Sequence, residues 1–150
     1  MQELKFEDLK KEYQNLLNQA AASREFSYSP YSNFKVGAAL LTPAGKIIAG
    51  ANMENVSFGA TICAERAALA RANSQGEQHF KALALIAQGD FSEEVITPCG
   101  ICRQMLAEFA QMAQEDLEII MSNPNKDKII LAKISELLPL SFKPQHLKKK

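Results

Sequence analysis

Cys63, Cys99 and Cys102 are the only thiols in 150 residues. An odd number of cysteines cannot close a disulfide framework and is better suited to thiol or metal chemistry in a reducing compartment. Cys99 and Cys102 open one predicted helix, in Cys99-Gly100-Ile101-Cys102, and Cys63 opens another. For the three to act together, the fold has to bring two helix N-termini to one point. The unpaired N–H groups and dipole at such ends favour the thiolate, which is the form that binds metal. Soft thiolates in tetrahedral geometry select zinc. A closed structural site takes four protein ligands, whereas His79 and His146 stand in unremarkable polar contexts away from the cysteines. Three ligands leave a fourth position for water, which is the coordination of a catalytic zinc.

Charge arithmetic adds a demand, because three thiolates exceed the charge of a divalent cation by one unit. Arg66, three residues after Cys63 on the same predicted helix, is within reach of the sulfurs and offsets that excess. Glu65, in the first turn of that helix, can point to the same centre and move protons there. Blander readings stand beside these. C-x-x-C at a helix start also fits a dithiol redox module, Glu65 fits a first-turn acid favoured by the dipole, and Arg66 fits a surface ion pair.

The rest of the chain reads as helix and sheet. Phe6, Leu9, Tyr13, Leu16, Leu17 and Ala20 recur at three and four, predicting an amphipathic helix from about residue 6 to 22. Short runs at 35–41 and 46–51 flank Thr42-Pro43-Ala44-Gly45 and predict a hairpin. Helices follow at 63–73 and 101–113, strands at 81–88, 117–122 and 128–131, and a last helical turn at 134–138 is stopped by Pro139. This order favours one sheet covered by helices on both faces. Seventeen basic residues balance seventeen acidic ones, so no field suited to nucleic acid or an acidic membrane is expected. No signal peptide and no run of about 18 apolar residues is visible, which predicts a soluble, cytoplasmic protein. The chain is expected to be one domain over 1–150, with the end after about 143, including Lys148-Lys149-Lys150, frayed and solvated.

Five blocks in order carry a resemblance. They are residues 28–40 (Tyr28-Ser29-Pro30-Tyr31 through Leu40), Asn52-Met53-Glu54-Asn55, Cys63-Ala64-Glu65-Arg66, Thr97-Pro98-Cys99-Gly100-Ile101-Cys102-Arg103-Gln104, and 137–142 (Leu137-Leu138-Pro139-Leu140-Ser141-Phe142). The chain resembles the cytidine deaminase family in its small form with a three-cysteine zinc site, whose non-ligand Glu and P-C-x-x-C signature are general features of zinc deaminases. The resemblance implies a three-layer α/β/α fold with a mixed sheet of about five strands. It implies Cys63, Cys99 and Cys102 as ligands of one Zn2+ and Glu65 as the proton shuttle. The reaction it implies is hydrolytic attack at C4 of cytidine or deoxycytidine, giving the uracil nucleoside and ammonia, in pyrimidine salvage.

The same resemblance places substrate at Phe34, Asn52, Glu54, Ala64 and Phe142, with Arg66 and Gln104 supporting the metal ligands. An amide plus a carboxylate suit the hydroxyls of a ribose, and a flat apolar ring suits a pyrimidine. Against this, Asn52 and Glu54 also fit loop decoration, and Phe34 an ordinary core residue. Phe142 matches an aromatic that reaches a neighbouring subunit's site in homotetrameric members, although it fits internal packing equally. The sequence departs from the pattern at Phe58, where Tyr is frequent, and at Ala60, where a larger apolar residue is common. Two other functions stay open: deamination of a different cytosine-bearing small molecule such as blasticidin S, and a non-catalytic zinc or dithiol module.

Overall fold

The computed structural model describes residues 1–88 and 94–147. The lysine triplet 148–150 lies outside them. Strand β2 (Lys35–Leu41) and strand β3 (Ile47–Ala51) form the expected hairpin, with Gly37 opposite Ala51 and Leu41 opposite Ile47. Gly45, with φ of 84°, occupies the turn at an angle that costs glycine little. Strand β4 (Ala82–Gln88) pairs antiparallel with β2 and parallel with β5 (Glu118–Ser122), and β6 (Ile129–Lys133) returns antiparallel on β5. Strand β1 (Gln2–Leu4) adds antiparallel to β6, so the mixed sheet has six strands in the order β1-β6-β5-β4-β2-β3.

The sixth strand is the one the sequence concealed. Gln2 and Glu3 are exposed and Leu4 is only half-buried, so no alternation is legible over three residues. Helix α1 (Lys11–Ser23) likewise starts later than its periodicity implies. Phe6–Asp8 form a single 3₁₀ turn, and Leu9 and Lys10 are extended at ψ of 143° and 145°. Phe6 and Leu9 therefore join the apolar stripe by packing beside the helix and not as part of it. The Gln14 side-chain amide donates to the Phe6 and Leu9 carbonyls at 3.2 and 3.0 Å, occupying acceptors that a continuous helix would use.

The alternation of the strands divides the core in two. Val36, Ala38 and Leu40 of β2, Leu83, Leu85 and Ala87 of β4, and Ile119 and Met121 of β5 face α2 (Ala64–Ser74), α3 (Gly100–Ala113) and α4 (Ile134–Leu137). Ala39, Leu41, Ala82, Ala84, Ile86 and Ile120 face α1, whose Tyr13, Leu16, Leu17 and Ala20 are buried. The result is the expected three-layer α/β/α arrangement, with inner strands apolar on both faces. Leu16 and Leu17 are fully buried, each contributing roughly 1.5–3 kcal/mol of burial energy.

Two glycines set the layer spacing where the helices press closest. A Cβ on Gly37 would fall 2.0 Å from the Ala20 carbonyl oxygen of α1. A Cβ on Gly50 would fall 2.4 Å from the Ala68 nitrogen and 2.9 Å from the Ala64 oxygen of α2. Both obstructions are backbone, so a side chain could be admitted only by moving a helix. Gly50→Ala is expected to cost about 1–3 kcal/mol through such overpacking, read as a lower denaturation midpoint at unchanged slope. A midpoint equal to wild type would show that α2 does not depend on this close approach.

Candidate metal centre and substrate site

Helices α2 and α3 pack on the same face of the sheet, and each begins at a cysteine. Cys63 is the N-cap of α2 and Cys99 the N-cap of α3; both have extended backbone and neither thiol makes a capping bond. Their carbonyls start the helices by accepting from Ala67 and Arg103 at 3.0 and 2.9 Å. The usual N-cap side chains are oxygen acceptors that satisfy a free N–H. Here the sulfurs are left to face one another. Cys102, fully buried in the first turn of α3, completes the set.

The three sulfurs lie within 4.8 Å of one another, with Cys63 Sγ 3.9 Å and Cys102 Sγ 3.5 Å from Cys99 Sγ. Tetrahedral coordination at Zn–S of about 2.3 Å sets sulfurs roughly 3.8 Å apart. The donor set therefore fits zinc in both chemistry and spacing. In a dithiol redox pair only Cys99 and Cys102 would be needed, whereas Cys63 is brought to the same point from a separate helix.

Charge is unevenly distributed over this cluster. The Cys63 thiol is drawn down to about 5, first by the hydrogen bond from Cys102 and further by Arg66 and Cys99, with burial opposing. Cys102 is pushed up, chiefly by giving that hydrogen bond and by burial. Cys63 and Cys102 thus share a proton, and ionising both calls for positive charge beside them. Arg66 supplies part of it: Nη2 donates to the Thr61 carbonyl at 2.7 Å and lies 3.9 Å from Cys63 Sγ. Its Nε is buried without a partner among the described residues.

Glu65 is 4% exposed in the first turn of α2. Burial raises its pKa first, and the Cys63 charge adds to this, while its backbone N–H, Cys102 and Arg66 pull the other way. A carboxyl held next to the thiols and out of water can exchange a proton with a group bound there. Ala64, between Cys63 and Glu65, is fully buried against the sheet.

Asn52 and Glu54 follow β3, and both are engaged with residues 27–36. Asn52 is buried; its Oδ1 accepts from Ser27 Oγ at 2.5 Å and from the Val36 N–H at 2.9 Å, and its Nδ2 donates to the Phe34 carbonyl at 2.8 Å. Glu54 accepts from the N–H groups of Tyr31 and Ser32 at 3.0 and 3.3 Å and from the Ser32 hydroxyl. The Ser32 hydroxyl is the first cause of its lowered pKa. Asn33, with φ of 54°, makes the bend that lets this loop close on Glu54. Phe34 is half-buried, packed against the core cluster that contains α2. The sequence singled out neither Ser27 nor Ser32 as partners of this pair, because a serine in a polar loop carries no signal until the loop folds back.

The remaining positions lie farther along. Gln104, on α3, spends both ends of its amide on the backbone of Phe142, a residue 54% exposed whose ring meets His146 edge-on at 5.3 Å. At the departure from the family pattern, Phe58 meets Tyr31 edge-on at 5.7 Å, joining the turn before Cys63 to the loop on Glu54. Ala60 is exposed.

An α/β/α sandwich in which two helix starts on one face present three thiols beside a buried glutamate is the arrangement of a zinc-dependent nucleoside deaminase. The sequence pattern of the cytidine and deoxycytidylate deaminase zinc-binding region matches residues 10–114, and the chain belongs to this family. It is 43% identical over 129 residues to a cytidine deaminase of Halalkalibacterium halodurans, covering 86% of this chain and 92% of that one. It is 40% identical over 134 residues to a cytidine deaminase of Sporosarcina psychrophila, covering 89% and 93%. The crystal structure of a cytidine deaminase from Burkholderia pseudomallei superposes with a TM-score of 0.78 at 40% identity, covering 87% of this chain and 98% of that one.

Purified protein is expected to carry one zinc per chain by elemental analysis, and Cys102→Ser to retain less than a tenth of it. Full zinc content in that variant would remove Cys102 from the ligand set.

Proposed function

We propose that this chain, acting as one domain, hydrolyses cytidine and deoxycytidine to uridine and deoxyuridine with release of ammonia. The observation that carries the reading is the meeting of Cys63, Cys99 and Cys102 within 4.8 Å beside a buried Glu65, in a chain about 40% identical to cytidine deaminases over most of its length.

Cys63, Cys99 and Cys102 would hold zinc, and Arg66 balances the excess thiolate charge. Zinc supplies the Lewis acidity that makes water a nucleophile at neutral pH. Glu65 would take a proton from the attacking water and deliver it to N3 of the ring as oxygen adds at C4. Glu65 would then carry the proton of the new C4 hydroxyl to the exocyclic amine, and the C4–N bond would break as the C4 carbonyl forms, releasing ammonia. Burial raises the pKa of this carboxyl, which favours its taking up a proton before passing it on. Phe34 supplies an apolar surface for the base, and the Ala64 backbone lies next to the first ligand. Glu54 offers its carboxylate to the ribose hydroxyls, and Asn52 holds the Phe34–Val36 segment against the same position.

We assign the enzyme to salvage of pyrimidines in the cytoplasm on its likeness to the cytidine deaminases. Among the described residues no helix is long and apolar enough to cross a membrane. We assign a homotetramer in which Phe142 completes a neighbouring subunit's site, supported by the exposure of that ring and of Leu140 beside it. Deamination of blasticidin S is the less favoured reading, since the relatives described above are cytidine deaminases.

Glu65→Gln is expected to keep its zinc and lose turnover of cytidine by about 10²–10⁴-fold; a wild-type rate would take Glu65 out of the mechanism. Glu54→Ala is expected to raise KM for cytidine at least tenfold, through loss of a charge-assisted bond. An unchanged KM would end the ribose assignment.

A further inference from the structure

Among the described residues no strand follows α4, and the backbone polar groups of residues 137–142 need partners elsewhere. Both ends of the segment, and the Ser141 hydroxyl, are held by side chains of α3. Arg103 Nη1 donates to the Leu137 carbonyl at 3.1 Å, while its Nε and Nη2 hold the Pro98 carbonyl and Thr97 Oγ1 at 2.7 and 3.0 Å. Gln111 Nε2 donates to Ser141 Oγ at 2.9 Å. Gln104, seven residues before Gln111 and so on the same face of α3, makes the most complete contact. Its Nε2 donates to the Phe142 carbonyl at 2.9 Å and its Oε1 accepts from the Phe142 N–H at 3.0 Å.

That pair reproduces with a side chain the two bonds that a facing β-strand would give. The Phe142 ring does little to hold itself, the residue being 54% exposed with His146 as its ring contact, and Leu140 two residues earlier is 95% exposed. The direction in which the ring is presented is therefore set through its backbone. Gln104 is rooted two residues beyond Cys102, on the helix that carries two of the three thiols. The C-terminal aromatic is thus indexed to the metal centre through one short, rigid path.

We propose that Gln104 is a positioning residue for Phe142: its amide fixes the backbone of the C-terminal segment so that the ring is presented in one orientation relative to the α3 ligands. The proposal rests on the reading of Phe142 as a substrate-site aromatic, and it applies whether the ring serves its own or a neighbouring subunit's site. It assigns Gln104 to the segment at 137–142 instead of to the sulfurs. Pre-organising a contact ring in its binding position removes an ordering cost from substrate binding, so loss of the clamp falls on affinity more than on chemistry.

The test compares full-length wild type with Gln104→Met, which keeps side-chain length and removes the amide, and with Phe142→Ala. Each is measured for zinc content, for KM and kcat on cytidine, and for the rate of chymotryptic cleavage at residues 140–142, which follows local opening. Gln104→Met is expected to keep its zinc, raise KM roughly fivefold or more with a smaller change in kcat, and be cleaved several-fold faster. An unchanged KM in Gln104→Met beside a raised KM in Phe142→Ala would overturn the positioning role and leave the reading of Phe142 standing. An unchanged KM in Phe142→Ala would overturn the reading on which the proposal rests. Loss of zinc in Gln104→Met at an unchanged cleavage rate would overturn the proposal by showing that Gln104 serves the ligands.

Discussion

Three sulfur atoms borne by two separate helices have to stay within 4.8 Å of one another, and much of the fold can be understood as the means of keeping them there. Helices α2 and α3 are both seated on one face of the sheet through buried Ala64, Ala68, Leu69, Leu106 and Ala107. Gly50 lets the α2 backbone descend onto β3 with no side chain between them. Arg66 ties the start of α2 to Thr61, and Arg103 ties the start of α3 to Thr97 and Pro98. Gathering like-charged thiolates is unfavourable without a cation, so metal binding and the packing of these two helices are coupled.

A similar logic extends from the thiols to the residues around them. Glu65 is fixed by the first turn of α2, so its place relative to Cys63 follows from helix geometry alone. Asn52 and Glu54 are one strand-step apart at the end of β3, and both reach back to residues 27–36. Asn52 is spent on holding that segment, whereas Glu54 is held by groups at the surface, where an incoming hydroxyl can exchange with the Ser32 hydroxyl. In the proposed function the two polar residues divide the work, Asn52 holding the segment and Glu54 meeting the ribose.

Much of this was legible in the sequence because the strong signals were local. The hairpin at Thr42–Gly45, the cysteine-capped helices and the apolar strands of the sheet centre each follow from a period or a turn residue, and each appears within a residue or two of its expected bounds. What escaped was non-local. Strand β1 exists because β6 offers it an edge, not because Gln2-Glu3-Leu4 prefers to extend. Phe6 and Leu9 kept the helical period while lying outside the helix, since packing against a common cluster selects apolar residues without selecting φ and ψ. At the site, the residue types announced the metal, but only the folded chain shows Ser32 on Glu54, Tyr31 against Phe58, and Gln104 on the Phe142 backbone.

The central claim is that the three-thiol centre, once filled, is what turns over cytidine. Chelator-stripped protein titrated with zinc, with bound metal and loss of cytidine absorbance followed in the same samples, tests it directly. Activity is expected to rise in proportion to bound zinc and to reach its plateau at one zinc per chain. A folded protein holding one zinc on Cys63, Cys99 and Cys102 with no turnover of cytidine would contradict it.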